Sequence, residues 1–407
     1  MLTLVSQSRK FVFYVPKLAK GVHMLRFIRP LAVAAALAMT LSGCSAESTS
    51  TSTTNSEVDA QVDAALKELE GTVLSKGPHG EDPATAETAE LTPEEIDEVK
   101  SMGATAAIVM HYGGNDWSTA QVDGLQAEFA NLGIEVVAVT DANFKPDKQV
   151  SDIETVLSKN PDIIVSIPTD PVATASAYKK AADAGVKLVF MDNSPQGLEA
   201  GTDYVSVVSA DNYGNGVVSA HLMAKSLGGA GKIGVIYHEA DFFVTKQRYE
   251  GFTATIADEY PEVEVVAEQG IAGPDFAGDA QAAANAMLSR YPDLAGIWAV
   301  WDVPAEGVMA AARASGRDDL KIATQDLGKN VAIALAKDEL IVGLGAQRPY
   351  DQGVTEARLA AGALLGKTAA PYVALAALPV EHDNVLDAWK QVYQADAPDD
   401  LAGAFEE

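Results

Sequence analysis

The chain has 407 residues with 48% hydrophobic content, long enough for two domains rather than one, each with a sizeable core. It carries 29 Lys and Arg against 57 Asp and Glu, a formal net charge of −28. Such a surface repels phosphate backbones and argues against nucleic-acid binding, and its plain consequence is solubility. The one cysteine, Cys44, excludes an intrachain disulfide.

At the N-terminus, Leu31–Leu41 is an apolar run of signal-peptide length. It is shorter than the ~20 residues of a membrane-spanning helix. It follows Arg26 and Arg29 and ends in Leu41-Ser42-Gly43-Cys44. This resembles a bacterial lipobox, with cleavage before the cysteine and a lipid on Cys44. Six basic residues and no acid precede Cys44, so without that stretch 23 Lys and Arg would face 57 Asp and Glu. Met24 makes a more typical signal start than Met1. Residues 1–43 are therefore expected to be a signal peptide and 44–103 a lipid-anchored acidic linker with short helices. Within it, Ser45–Ser56 has the composition of a flexible tether. Glu57–Leu69 has apolar residues at helical spacing, and Thr92-Pro93-Glu94-Glu95 is a helix start.

From Ala104 the chain alternates short Val- and Ile-rich runs with helix-length segments. In the first half the runs are Ala104–Met110, Ile134–Thr140, Asp162–Ile167 and Lys187–Met191, followed by a short strand at Tyr204–Val208. Lys232–Tyr237, Val263–Ala267, Ala295–Trp301, Lys321–Thr324 and Ile341–Ala346 make up the second half. Most are continuous rather than alternating, as expected for parallel strands buried on both faces. Gly133, Gly185 and Gly316 fall near helix ends. The pattern predicts an α/β fold of two doubly wound parallel-sheet lobes.

Open parallel sheets bind ligands at the carboxyl ends of their strands. Those ends carry His111 with Asn115-Asp116-Trp117, then Thr169-Asp170 and Asp192-Asn193. The second half adds Tyr237-His238, Trp301-Asp302, Gln325-Asp326 and Gln347-Arg348. Planar hydrogen-bonding groups beside flat apolar rings match the demands of a sugar, with its directional hydroxyls and its C–H face.

Several collinear motifs carry a family resemblance. Val165–Asp170 (VSIPTD), Ala181–Val186 (AADAGV) leading to Met191-Asp192, Val208–Asn212 (VSADN), Arg248–Phe252 (RYEGF), Trp301-Asp302, Thr324–Asp326 (TQD) and Ala346-Gln347 succeed one another. From about Ala104 to Val380 the chain looks like a sugar-binding protein of bacterial ABC importers, of the ribose-binding type (type I periplasmic binding protein). The resemblance implies three crossover segments, near Ser209–Asn212, Gln347 and Pro379-Val380. It implies an N-terminal lobe of 104–209 plus 348–379 and a C-terminal lobe of 210–347 plus 380–395. It also implies ligand contacts at Asn115, Trp117, Asp192, Asn193, Lys246 or Arg248, Trp301, Asp326 and Gln347. The partners implied are a sugar or polyol-like small molecule and a membrane permease, with the protein acting as a monomer. Asp192-Asn193 replaces the Asp-Arg pair of ribose binders, Ser118 follows Trp117 where they have a second aromatic, and Trp301 stands where they have Asn. A pyranose, polyol, modified sugar or furanone-like signal suits these departures better than ribose.

Rival functions fare less well. None of the six histidines lies in a metal-ligand spacing, and no nucleophile elbow appears, so no catalytic residue, metal or cofactor is expected. Gly366-Lys367-Thr368 lacks the earlier glycine of a phosphate loop, Ala361 standing there instead. A repressor with this two-lobed fold needs a basic helix-turn-helix at its N-terminus, where this chain reads as an export signal followed by an acidic tether. A sensor that presents its ligand to a membrane receptor remains the alternative to transport.

Overall fold

The structure, a computed structural model, describes residues 50–240 and 242–406. The expected signal peptide, Cys44 and the start at Met24 lie outside the described residues. In chain order the helices are α1 (Ser50–Leu69), α2 (Pro93–Met102), α3 (Asp116–Asn131), α4 (Pro146–Leu157), α5 (Ala175–Asp183), α6 (Asn212–Ser226), α7 (Phe243–Glu259), α8 (Phe276–Arg290), α9 (Asp302–Ala314), α10 (Lys329–Ala336), α11 (Pro349–Leu364), α12 (Val385–Tyr393) and α13 (Asp399–Glu406). The strands are β1 (Thr105–Met110), β2 (Glu135–Asp141), β3 (Ile163–Ser166), β4 (Lys187–Met191), β5 (Ser206–Ala210), β6 (Gly231–His238), β7 (Val263–Ile271), β8 (Leu294–Ala299), β9 (Lys321–Gln325), β10 (Ile341–Ala346), β11 (Tyr372–Leu375) and β12 (Leu378–Val380).

Two six-stranded sheets share one topology. The first runs β11-β5-β4-β3-β1-β2 and the second β12-β10-β9-β8-β6-β7. The β12–β10 pair is antiparallel, and β11 pairs with β5 in parallel. Ile163, Ile164 and Val165 of β3 are wholly buried, which is why that run is continuous rather than alternating. Gly133, Gly185 and Gly316 all have positive φ, the left-handed stop that their positions near helix ends predict. The chain passes between the sheets after Ala210, after Ala346 and after Leu375.

Helix pairs in both lobes meet through glycines. A Cβ on Gly353 of α11 would clash with the Gln121 carbonyl of α3, and one on Gly124 with that of Tyr350. In the second lobe a Cβ on Gly216 of α6 would strike the Arg248 carbonyl of α7, and one on Gly251 that of Tyr213. The α6–α7 approach fixes where Arg248 stands.

The segment expected to be a linker is packed on both lobes. Helix α1 begins at Ser50, so the residues from there to Ser56, expected to belong to a flexible tether, are helical. Val62 and Leu66 of α1 enter the second lobe's core. Helix α2, whose expected cap is a capping box between Thr92 and Glu95, places Val99 in the first lobe's core. At the other end of the chain, α12 and α13 bury Val385, Trp389 and Leu401 in the second core.

Candidate ligand-binding site

In each lobe the strand order reverses beside the first strand, between β1 and β3 and between β6 and β8. Crevices at such switch points are where parallel sheets hold ligands. Here the two crevices face each other across one cavity of about 110 Å³. The lobes touch around it: the Lys329 amide of the second lobe donates to Asp116 Oδ2 of the first at 2.8 Å.

Rings form about half of the wall. From the first lobe come His111 and Tyr112 after β1, Trp117 in the first turn of α3, and Phe144 after β2. The second lobe supplies His238 at the end of β6, Phe242 before α7, Phe276 opening α8 and Trp301 before α9. Phe144 sits edge-on to His111 at 4.8 Å and stacks on Tyr112 at 4.9 Å. Phe276 meets Trp301 at 4.9 Å. Across the cleft, His111 lies parallel to Phe242 with centroids 6.2 Å apart, and Phe144 meets Phe276 at 6.0 Å. Phe144 and Phe276 follow β2 and β7, the edge strands at equivalent places in the two sheets.

The polar part is one continuous network. Ser209 Oγ donates to Asp192 Oδ1 (2.7 Å), and Asn212 Nδ2 donates to Ser209 Oγ (3.0 Å). Arg248 Nε donates to Asn212 Oδ1 at 3.0 Å. The guanidinium then grips both oxygens of Asp326, at 2.9 and 3.3 Å, and donates to the Val300 carbonyl at 3.2 Å. Gln347 Nε2 donates to Asp326 Oδ1 at 2.9 Å. The network starts at the end of β4 and passes through the first crossing. It continues into the second lobe and ends at the second crossing. Asp192 and Asp326 both have left-handed backbone, φ 55° and 65°, immediately after β4 and β9. Aspartate tolerates that conformation better than most residues, and it turns each carboxylate out of its sheet.

Burial pushes the Asp192 carboxyl up to about 6, with the Asp326 charge adding to the rise and the Ser209 bond and Arg248 opposing it. Burial pulls His111 down to about 3 and lowers His238, so both rings are neutral near pH 7. Three buried polar atoms on the wall have no hydrogen-bond partner among the described residues: His111 Nδ1, Trp117 Nε1 and Gln347 Oε1. The indole offers a donor and the amide oxygen an acceptor. Unsatisfied groups of this kind are costly unless something else meets them.

Of the residues expected at the site, Asn115, Trp117, Asp192, Arg248, Trp301, Asp326 and Gln347 line the cavity. Asn115 also caps α3, its Oδ1 accepting the Ser118 amide at 2.9 Å. Two do not line it. Lys246 lies on the exposed face of α7, because two residues along a helix turn the side chain about 200° away from Arg248. Asn193, the residue after Asp192, is buried outside the lining. Thr169 and Asp170 are structural, bonded to Gln149 and to the turn amides of Val172 and Ala173. Sequence reading missed Tyr112, Phe144, Phe242, Thr245 and Phe276. An aromatic soon after each strand end was the available signal.

Among the described residues no cluster of His, Cys, Asp or Glu could hold a metal, and no helix is long and apolar enough to cross a membrane.

The sequence profile described as "Periplasmic binding protein domain" matches residues 106–368. The chain is 30% identical over 244 residues to the ribose import binding protein of Bacillus subtilis, covering 60% of this chain and 76% of that one. It is 28% identical over 274 residues to the D-ribose/D-allose-binding protein of Pseudomonas aeruginosa, covering 64% and 82%. Among solved structures, an ABC transporter solute-binding protein of Agrobacterium vitis bound with α-D-tagatopyranose is similar with a TM-score of 0.65 and 25% identity, covering 71% of this chain and 99% of that one. The arabinose-binding protein AraP of Geobacillus stearothermophilus gives 0.62 and 26%, covering 69% and 98%. With two lobes of one topology closing on a shared cleft, and a profile match that spans both, the chain belongs to the periplasmic binding protein family.

Proposed function

We propose that this protein captures a sugar or polyol between its lobes outside the cytoplasm and delivers it to an ABC importer, binding its ligand without transforming it. The observation that carries this reading is the cleft wall. Aromatic rings supply flat apolar surface for a C–H face, while Trp117 Nε1 and Gln347 Oε1 wait for one acceptor and one hydroxyl donor. Asp192 and Asp326 accept hydroxyl hydrogen bonds, Asn115 fixes orientation, and Trp117 and Trp301 stack. Contacts from the second lobe favour closure, because the closed form alone offers both sets of bonds. The names of the relatives, which bind ribose, allose, arabinose or tagatose, support the ligand class. A lipid on Cys44 would hold the protein, as a monomer, to the outer face of the membrane.

A thermal-shift panel of D-ribose, D-allose, D-tagatose, D-arabinose and simple polyols, joined to mass spectrometry of ligand released from the purified protein, tests this. A binder raises the melting temperature by mass action. No shift with any sugar or polyol, together with a shift by nucleosides or amino acids, overturns the ligand class.

A further inference from the structure

We propose that residues 55–90 form a strap, a fourth connection between the lobes, that holds the cleft closed. The proposal rests on the reading that the lobes close on a ligand. It assigns part of the closing force to the chain itself.

The strap starts on the second lobe. Val62 and Leu66 of α1 are buried in that lobe's core, and Asp63 pairs with Lys225 of α6 at 3.1 Å. It then docks on the first crossing. The Leu74 and Ser75 amides and the Ser75 hydroxyl all donate to the carboxylate of Asp211, at 2.8 to 2.9 Å. Ser75 Oγ accepts the Tyr213 amide at 2.9 Å. Asp211 also caps α6 through the Gly214 amide, and its own amide donates to Leu375 at the third crossing. One buried residue, through its carboxylate and its own amide, therefore gathers the strap, the first crossing and the third.

The strap next changes lobes. The Lys76 carbonyl accepts from Gln247 Nε2 of α7, in the second lobe, at 2.9 Å. His79 Nε2 lies 3.1 Å from Ser194 Oγ, in the first lobe after β4. Beyond that, Ala84 pairs with β11: its amide donates to the Tyr372 carbonyl, and its carbonyl accepts the Ala374 amide, both at 3.0 Å. The three residue steps from Lys76 to His79 span at most about 11 Å. A rotation that separates Gln247 from Ser194 beyond that reach plus the length of the bonded Gln247 and His79 side chains must break one of the two grips, whereas the closed form keeps both. The family match begins at residue 106, after the strap.

The experiment measures the distance between the lobes without ligand. Spin labels on Thr155→Cys in α4 and Ala314→Cys in α9, both exposed, report it in the full chain carrying Cys44→Ser. The parent is expected to populate mainly the short distance. Ser75→Ala with His79→Ala should raise the open fraction about tenfold, since several hydrogen bonds of modest net worth are lost together. If that variant fails to fold by circular dichroism, Gln247→Ala, which removes a single surface bond, replaces it with the same direction expected. Identical distributions in parent and variant, or a parent already open, overturn the strap. D-ribose, D-tagatose and D-arabinose are then added. If the strap variant opens and none of them closes it, the strap stands and the sugar reading falls. If they close both proteins and the ligand-free distributions coincide, the strap falls and the sugar reading stands.

Discussion

Replacing Asp192 with asparagine separates the stability of the closed lobes from their affinity, and the two should move in opposite directions. Burial raises this carboxyl from its ordinary 3.8 to about 6. At about 1.36 kcal/mol per pH unit, holding it ionised in the folded chain costs about 3 kcal/mol above pH 6. The sign follows from linkage. The folded state binds the proton more tightly than the unfolded state, so this stabilisation is full below pH 3.8 and is lost as pH rises through about 6. Asp192→Asn removes the titration and keeps an amide oxygen for Ser209, whose hydroxyl donates at 2.7 Å. Urea unfolding of the ligand-free protein should show the variant more stable by about 2–3 kcal/mol at pH 8, with the gain vanishing near pH 4. Binding should respond the other way: losing a buried charged acceptor weakens affinity for the cognate sugar by about 1–3 kcal/mol at pH 8. Wild-type affinity should likewise fall as pH drops through about 6. A stability difference that stays constant from pH 4 to pH 8 would refute the assignment of the shift to burial of this group.

Two further outcomes follow from the same cleft. Arg248→Met leaves Asp326 as a buried carboxylate without its guanidinium and should destabilise by about 3–5 kcal/mol; adding Asp326→Asn recovers much of that, while Lys246→Ala on the outer face of the same helix changes urea stability by less than about 0.5 kcal/mol. Gly216→Ala drives a Cβ into the Arg248 carbonyl and should lower stability by about 1–3 kcal/mol in thermal melts, whereas Gly403→Ala, with open space around it in α13, should raise it by up to about 1 kcal/mol.

The sheets were legible because their central strands are buried on both faces, and a run such as Ile163-Ile164-Val165 has no other good use. β11 and β12 were not foreseen as strands. They have four and three residues, and each is held by pairing with a strand distant in sequence, β5 or β10. β5 runs from Ser206 to Ala210, two residues later than its apolar run suggested, because its pairing with β11 continues to Ala210. Cavity-lining residues at strand ends could be found by rule, as Trp117, Asp192, Trp301 and Asp326 show. Phe144 and Phe276 were missed because they stand a few residues further on, on loops after the edge strands, where only their aromatic character marked them. Lys246 could have been set aside by helical phase alone: Val244, Thr245, Arg248 and Phe252 share the buried face of α7. The strap was hidden by its polar composition, its burial being carried by a few residues such as Val62, Ser75 and Ala89.

The network from Asp192 through Ser209, Asn212, Arg248 and Asp326 to Gln347 joins the proposed ligand site to the first and second crossings between the lobes. That union constrains how the protein can diverge. An exchange at Asp326 chosen to suit a different hydroxyl also strips support from Gln347 at the second crossing and leaves the buried Arg248 charge without its carboxylate, so the route passes through a poorly folded intermediate sequence. Phe144 and Phe276 carry no such obligation. A lineage seeking a new ligand would find its tolerated steps on those two loops, with the carboxylates and the arginine held as a fixed frame.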